Sequence, residues 1–323
     1  MPEGGAEAWP VVGYEAGRAA LADPGLSKDW SRASPSLPPG AISSGPHMLR
    51  ADPPDHTRLR KPVAREFTAR RVEQLAPGIH KTTDALLDRM LPAPDGRADL
   101  VEALSFPLPI SVICELLGVP DLDRESFRTW SNDALSATDP EERTAAATAM
   151  ARYMAELVEG KRKQPGDDLI SALIHGSDED GDRLSREELL GTARLLLVAG
   201  HETTVNLISN GVLALLTHPQ QLAALRADLS SIDTAVEEML RYEGPLETPT
   251  FRFTTEQVTI GDTVVPGGGE LVLIAMADAD RDPARFPSPD RFDISRDARG
   301  HMCRTGLPKP MRPVRRPIHL LHR

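Results

Sequence analysis

The sequence predicts a mainly α-helical protein with small β-sheets, and three observations carry that reading. Ala and Leu dominate a chain with only 4% aromatic residues, and both are strong helix formers. Apolar residues recur at helical spacing through most of the stretch from Pro77 to Thr217. Strand signals are confined to a short region between Val258 and Ala275. With 323 residues and 40% apolar content, the chain can bury the core of one large domain or two ordinary ones. It contains no internal repeat and no linker that clearly separates two domains.

The elements follow in order. Residues 11–22 read as a short helix whose less polar positions are Tyr14, Ala19, Ala20 and Leu21. Pro, Ser and Gly crowd residues 31–55, which marks a long loop, and such loops often carry function in compact domains. A basic helical stretch runs from His56 to Ala76. Three or four amphipathic helices fill Pro77–Leu173, broken at Pro92–Gly96, around Gly118–Pro120 and at Gln164–Gly166. Ser185 and Glu188 form a capping box. It opens a helix reaching about Thr217, long enough to cross the whole domain. Shorter helices follow at 219–228 and 231–242. Val258, Ile260, Val264 and Val265 flank a Gly261-Asp262 turn, and Pro266–Gly269 leads into the apolar strand Leu271–Ala275. Residues 280–300 form a loop rich in Pro, Asp and Arg.

The net charge of −11 weighs against a nucleic-acid partner. Its distribution is uneven: residues 302–323 hold +6 and the rest −17. Two cysteines, Cys114 and Cys303, rule out a disulfide framework and suit a reducing cytoplasm. Cys114 lies in an apolar run and reads as inert core. There is no uninterrupted apolar run of the ~18 residues a membrane span needs, and no basic-then-apolar leader. These features predict a cytoplasmic protein with no membrane partner.

The most informative run is Leu195–Thr204, L-L-L-V-A-G-H-E-T-T. Glycine costs about 1 kcal/mol relative to alanine inside a helix, and an acid with two hydroxyls on a core helix needs partners. The run reads either as a wall shaping a cavity with chemistry in it or as a locally irregular core helix. His201-Glu202 begins an H-E-x-x-H zinc motif, but Val205 stands at the second histidine, which removes a ligand from that reading. Glu238 and Arg241 form E-x-x-R and can pair on one helix face, as a solvated surface pair or as something more, with Arg291 a further candidate partner. His56 and Arg60 lie one helical turn apart and together suit a carboxylate, or else form a solvated basic face.

Taken in this order and at these intervals, H-T-R-L-R, A-G-H-E-T-T, E-x-x-R and P-x-R-F make the chain resemble the cytochrome P450 family. It is most similar to the soluble bacterial members of actinobacterial secondary metabolism, over about Trp9 to His301. The resemblance implies the helical P450 fold with small sheets and heme b, an iron cofactor, between the long central helix and a proximal loop. By the same resemblance, Ala199, Gly200, Glu202 and Thr203 match the distal oxygen-binding groove, where the glycine makes room for dioxygen. Glu202 and Thr203 are the catalytic acid–alcohol pair that relays protons for O–O cleavage. His56, Arg60 and Arg252 match the residues that hold the heme propionates, and His301 matches a further propionate contact. Glu238, Arg241 and Arg291 match a buried structural charge triad, in which losing one member costs several kcal/mol. The loop near 35–50, the helices around 130–160 and the stretch Glu247–Phe251 fall where the family contacts substrate. The implied activity inserts one oxygen atom from O2 into a small organic substrate, by hydroxylation or epoxidation of a secondary metabolite. Electrons come from NAD(P)H through a ferredoxin and a ferredoxin reductase.

The chain departs from the family after His301. Family members continue with a Phe-Gly-x-Gly loop that ends in the cysteine whose thiolate is the fifth iron ligand, and counting on from His301 places Met311 there. Four Pro, five Arg and no acid in residues 302–323 look like translation out of frame. Cys303 lies eight residues before the ligand position and lacks the glycines that shape the loop. The family's first helix and first strand also have no counterpart. The sequence therefore reads as a partial P450-like domain over 1–301, incomplete at both ends, followed by a basic tail over 302–323. Two functions follow from this. One is a heme-thiolate monooxygenase by lineage, inactive in this chain because the axial cysteine is missing. The other is a non-catalytic remnant or a helical binding protein without thiolate chemistry.

Overall fold

A computed structural model describes residues 7–37, 46–91, 96–120, 126, 129–130, 133, 139–176 and 183–302. Strand β1 (Trp9–Val11) precedes α1 (Tyr14–Ala22) and the two-residue β2 (Leu26–Ser27). Helices α2 (Asp55–Glu66) and α3 (Ala69–Met90) follow, then a π-helical turn at Val101–Ser105 and α4 (Pro107–Leu117). Next come α5 (Pro140–Lys163), α6 (Leu169–His175), α7 (Arg186–Thr217), α8 (Pro219–Ala227) and α9 (Ile232–Tyr242). The last elements are β3 (Arg252–Thr254), β4 (Val258–Ile260), β5 (Thr263–Val265), β6 (Leu271–Ile274) and α10 (Met276–Ala279).

The spine is α7, whose 32 residues span roughly 48 Å at the helical rise. Ser185 accepts from the Glu188 amide at 3.2 Å and Glu188 accepts from the Ser185 amide at 2.8 Å, so the predicted capping box is present. The first half of α7 buries Leu189, Ala193 and Leu197 in a helical core with Ile113, Cys114, Leu117, Met154 and Ile170. Its second half joins a smaller core with Leu225, Met239 and Phe292. Cys114 is 1% exposed, a packing residue as its apolar run predicts.

The sheet draws on both ends of the described chain. Its strand order is β1-β6-β3-β2, with β1 parallel to β6 and the other pairs antiparallel. β4 and β5 form a separate hairpin through the Gly261-Asp262 turn, where Gly261 takes φ +58°, a conformation that glycine adopts without penalty. Three helical expectations need correction. The basic stretch from His56 is not one helix to Ala76: it ends at Glu66, and Thr68 caps a new helix by accepting from the Arg71 amide at 3.3 Å. Pro77 does not break that new helix, which runs on to Met90; the proline only withdraws one backbone donor. The helix expected over 11–22 starts only at Tyr14, and Val11 instead ends the strand Trp9–Val11, whose pairing partner lies some 260 residues away and leaves no local signal. No helix among the described residues is long and apolar enough to cross a membrane.

Candidate functional site

The L-L-L-V-A-G-H-E-T-T run is continuous helix in the middle of α7. Ala199, Gly200 and Glu202 are exposed, whereas His201 is only 2% exposed. The His201 ring meets Phe106 edge-on with centroids 4.5 Å apart, and neither ring nitrogen has a hydrogen-bond partner among the described residues. Burial pushes its pKa down to about 4, so the ring is neutral at pH 7. The Thr203 hydroxyl donates to the Ala199 carbonyl at 2.6 Å and the Thr204 hydroxyl to Gly200 at 3.0 Å. A Cβ on Gly200 would lie 3.2 Å from Ile113 Cδ1, so the space this glycine leaves is filled by α4. No group of three metal-ligating side chains occurs among the described residues.

A second constellation forms where α2 meets β2 and β3. Asp52, three residues before α2, accepts from the Ser27 hydroxyl and from the Lys28 amide at 3.1 and 3.2 Å. The Asp52 carbonyl accepts from the His56 amide at 2.9 Å. This clamp fixes the start of α2 against β2 and so positions His56 and Arg60, one turn apart. Arg252, 8% exposed, enters from β3 and uses one guanidinium nitrogen on Thr250. Burial first, then the charges of Lys28 and Arg60, hold the His56 pKa below its usual range. Burial and then Arg252 lower Lys28 likewise, against the opposing pull of Asp52. With His56 neutral, two guanidinium groups and the Lys28 ammonium face one carboxylate, a formal excess of two positive charges. Among the described residues, neither the Arg60 guanidinium nor the Lys28 ammonium has a salt-bridge partner.

The third constellation is a charged brace on α9. Arg241 grips both oxygens of Glu238 at 2.7 and 2.9 Å, and both side chains are fully buried. The remaining nitrogen of Arg241 donates to the carbonyls of Asp280 and Pro289, each at 2.9 Å. The third member is Arg296, which reaches Glu238 at 3.2 Å, and not the expected Arg291. Arg291 points outward, its side chain 69% exposed and 3.6 Å from Asp293, and only its backbone carbonyl joins the network. The physical reason is the turn before it: Ser288 at φ 52° leaves the carbonyls of Pro287, Ser288 and Arg291 all accepting from Arg296. Asp280 accepts from the Met302 amide at 2.6 Å, and burial pushes its pKa up to about 7.

His301 is buried with Nε2 3.2 Å from Glu237 Oε2 on α9. Cys303, Met311 and the rest of the basic tail from 303 lie outside the described residues, as do parts of the expected substrate-contact segments, 38–45 and most of 121–138. Sequence reasoning missed Lys28, Asp52, Glu237, Asp280 and Arg296. Asp52 could have been found from D-P-P-D-H, where it stands one turn before His56. Nothing local marks Lys28, because strand pairing across some 225 residues brings it to the cluster.

Comparison with known proteins gives a consistent answer. Residues 137–299 match the family model described as Cytochrome P450. The chain is 57% identical over 302 residues to "Cytochrome P450 monooxygenase PikC" of Streptomyces venezuelae, covering 94% of this chain and 72% of that protein. It is 51% identical over 309 residues to "Cytochrome P450 107B1" of Saccharopolyspora erythraea, covering 93% and 75%. Its fold matches the ligand-free structure of the P450 monooxygenase TamI with a TM-score of 0.82 at 47% identity, over 92% of this chain and 70% of that one.

Proposed function

The chain belongs to the cytochrome P450 family, and we propose that it stems from a monooxygenase that adds one atom of O2 to a small organic secondary metabolite, by hydroxylation or epoxidation. Family members bind heme iron, which supplies a redox centre for activating dioxygen. The observation that carries the reading is the charge of the cluster at α2, β2 and β3. Its two uncompensated positive charges fit the two propionates of a heme.

In this reading His56, Arg60 and Arg252 hold the propionates, and His301, which lies beside Glu237, makes a further propionate contact. Ala199 and Gly200 border the distal groove. Glu202 supplies a carboxylate and Thr203 a hydroxyl for moving protons into it. With its hydrogen engaged by the Ala199 carbonyl, the Thr203 oxygen keeps its lone pairs as acceptors. Glu247–Phe251 border the substrate, and a ferredoxin with its NAD(P)H-dependent reductase delivers electrons in the cytoplasm.

We infer further that residues 1–301 are the family domain, that 302–323 are a tail foreign to it, and that the chain lacks thiolate chemistry. Met311 offers a thioether where a thiolate is needed, and Cys114 is sealed in the core. The test is the absorption spectrum of the heme-reconstituted, reduced protein under CO. The expected Soret band is that of iron with a neutral axial ligand. A red-shifted band would assign a thiolate, with Cys303 its source, and overturn the inactive reading.

A further inference from the structure

The geometry points to Lys28 as a further residue that binds the carboxylates of a porphyrin at the His56, Arg60 and Arg252 cluster. The inference rests on the heme reading above and adds a residue that the family motifs do not mark. β2 pairs with β3 in the register Leu26↔Thr254 and Ser27↔Phe253. Continued one residue past the end of β2, that register brings Lys28 beside Arg252, whose charge acts on it. Two cations across a strand pair repel, and the two share a single acidic group, Asp52, whose one charge acts on both. Asp52, the nearest carboxylate, is occupied by the Ser27 hydroxyl and by the Lys28 backbone amide. Lys28 is half-buried, so its ammonium has also lost part of its hydration. A side chain placed only for stability would have been paired. One that repels its neighbour is explained by a dianion that neutralises both.

The asymmetry of the clamp supports the assignment. Asp52 holds Lys28 through its backbone, which fixes where the side chain begins and leaves the ammonium free to contact a ligand. Trp30 packs edge-on against Phe251 and Phe253, with centroids 5.6 and 5.0 Å away, and anchors the same segment from the apolar side. The Lys28 side chain is therefore carried on a fixed backbone, as a binding residue needs to be.

Metal-free protoporphyrin IX isolates carboxylate binding from any iron ligand, and its dimethyl ester keeps the ring while removing both charges. Fluorescence titration of the full chain with each porphyrin is the test. Lys28→Gln is expected to weaken protoporphyrin IX binding about tenfold and to leave the ester within about twofold. Lys28→Arg is expected to keep both affinities. In low salt the ligand-free Lys28→Gln protein is expected to unfold at an equal or higher urea concentration, because a repulsion has gone. Equal weakening of both porphyrins, no change in either, or a lower urea midpoint overturns the assignment. Arg252→Gln separates the two levels of the argument. If it discriminates between acid and ester and Lys28→Gln does not, Lys28 alone fails. If Arg252→Gln also treats them alike, or the parent chain binds neither, the porphyrin reading fails and Lys28 with it.

Discussion

The brace on α9 and the cluster at β2 and β3 contain the same kinds of side chain in opposite conditions. In the brace, Arg241 spends its donors on Glu238 and on two backbone carbonyls, and Glu238 also receives Arg296 and the Asp293 amide at 3.0 Å. Every charge there is answered from within the fold. In the cluster, Lys28, Arg60 and Arg252 share one carboxylate that is already engaged. Like charges held together with one carboxylate between them are costly, and a ligand of opposite charge would offset that cost. The contrast sets residues that hold the protein together against residues that, in the proposed reading, receive a ligand.

Four substitutions sharpen or break this contrast. Arg241→Ala strands the Glu238 carboxylate in a dry site and is expected to cost about 3–5 kcal/mol, read as a loss of urea stability. A loss below about 1 kcal/mol would mean that the brace is not a closed network. Arg296→Ala removes one of the partners of Glu238 and three carbonyl contacts and is expected to cost about 1–3 kcal/mol. Arg291→Ala, at a side chain 69% exposed, should stay within about 0.5 kcal/mol. Equal effects in thermal melts would restore Arg291 to the triad. Arg60→Gln has the opposite sign: the ligand-free protein gains about 0.5 kcal/mol at low salt, and the gain fades as salt screens the repulsion. Destabilisation at low salt would show that the cluster is already balanced.

Much of the helical frame was legible from local pattern. The capping box at Ser185 and Glu188 marks the start of the spine helix because both halves of the device lie within four residues. The hairpin at Gly261-Asp262 was equally clear, since a short turn sets its own register. The strands Trp9–Val11 and Leu26–Ser27 were not, because a strand is stabilised by a partner that can lie anywhere in the chain. The site divides the same way. His56 and Arg60 share a helix turn and are visible as a pair. Arg296 replaces Arg291 because the loop turns at Ser288, a geometry that the P-x-R-F pattern does not specify.

The sequence by itself determined the family, the spine helix with its polar interruption, the E-x-x-R pair and the methionine at position 311. Each of these is local, written in residue type and short spacing. Only the tertiary structure decided which guanidinium completes the brace, what fills the space beside Gly200, and that Lys28 joins the cations on α2 and β3. Those outcomes depend on contacts between segments far apart in the chain. Charge balance and packing are properties of a place in the fold, and a place exists only once distant strands have paired.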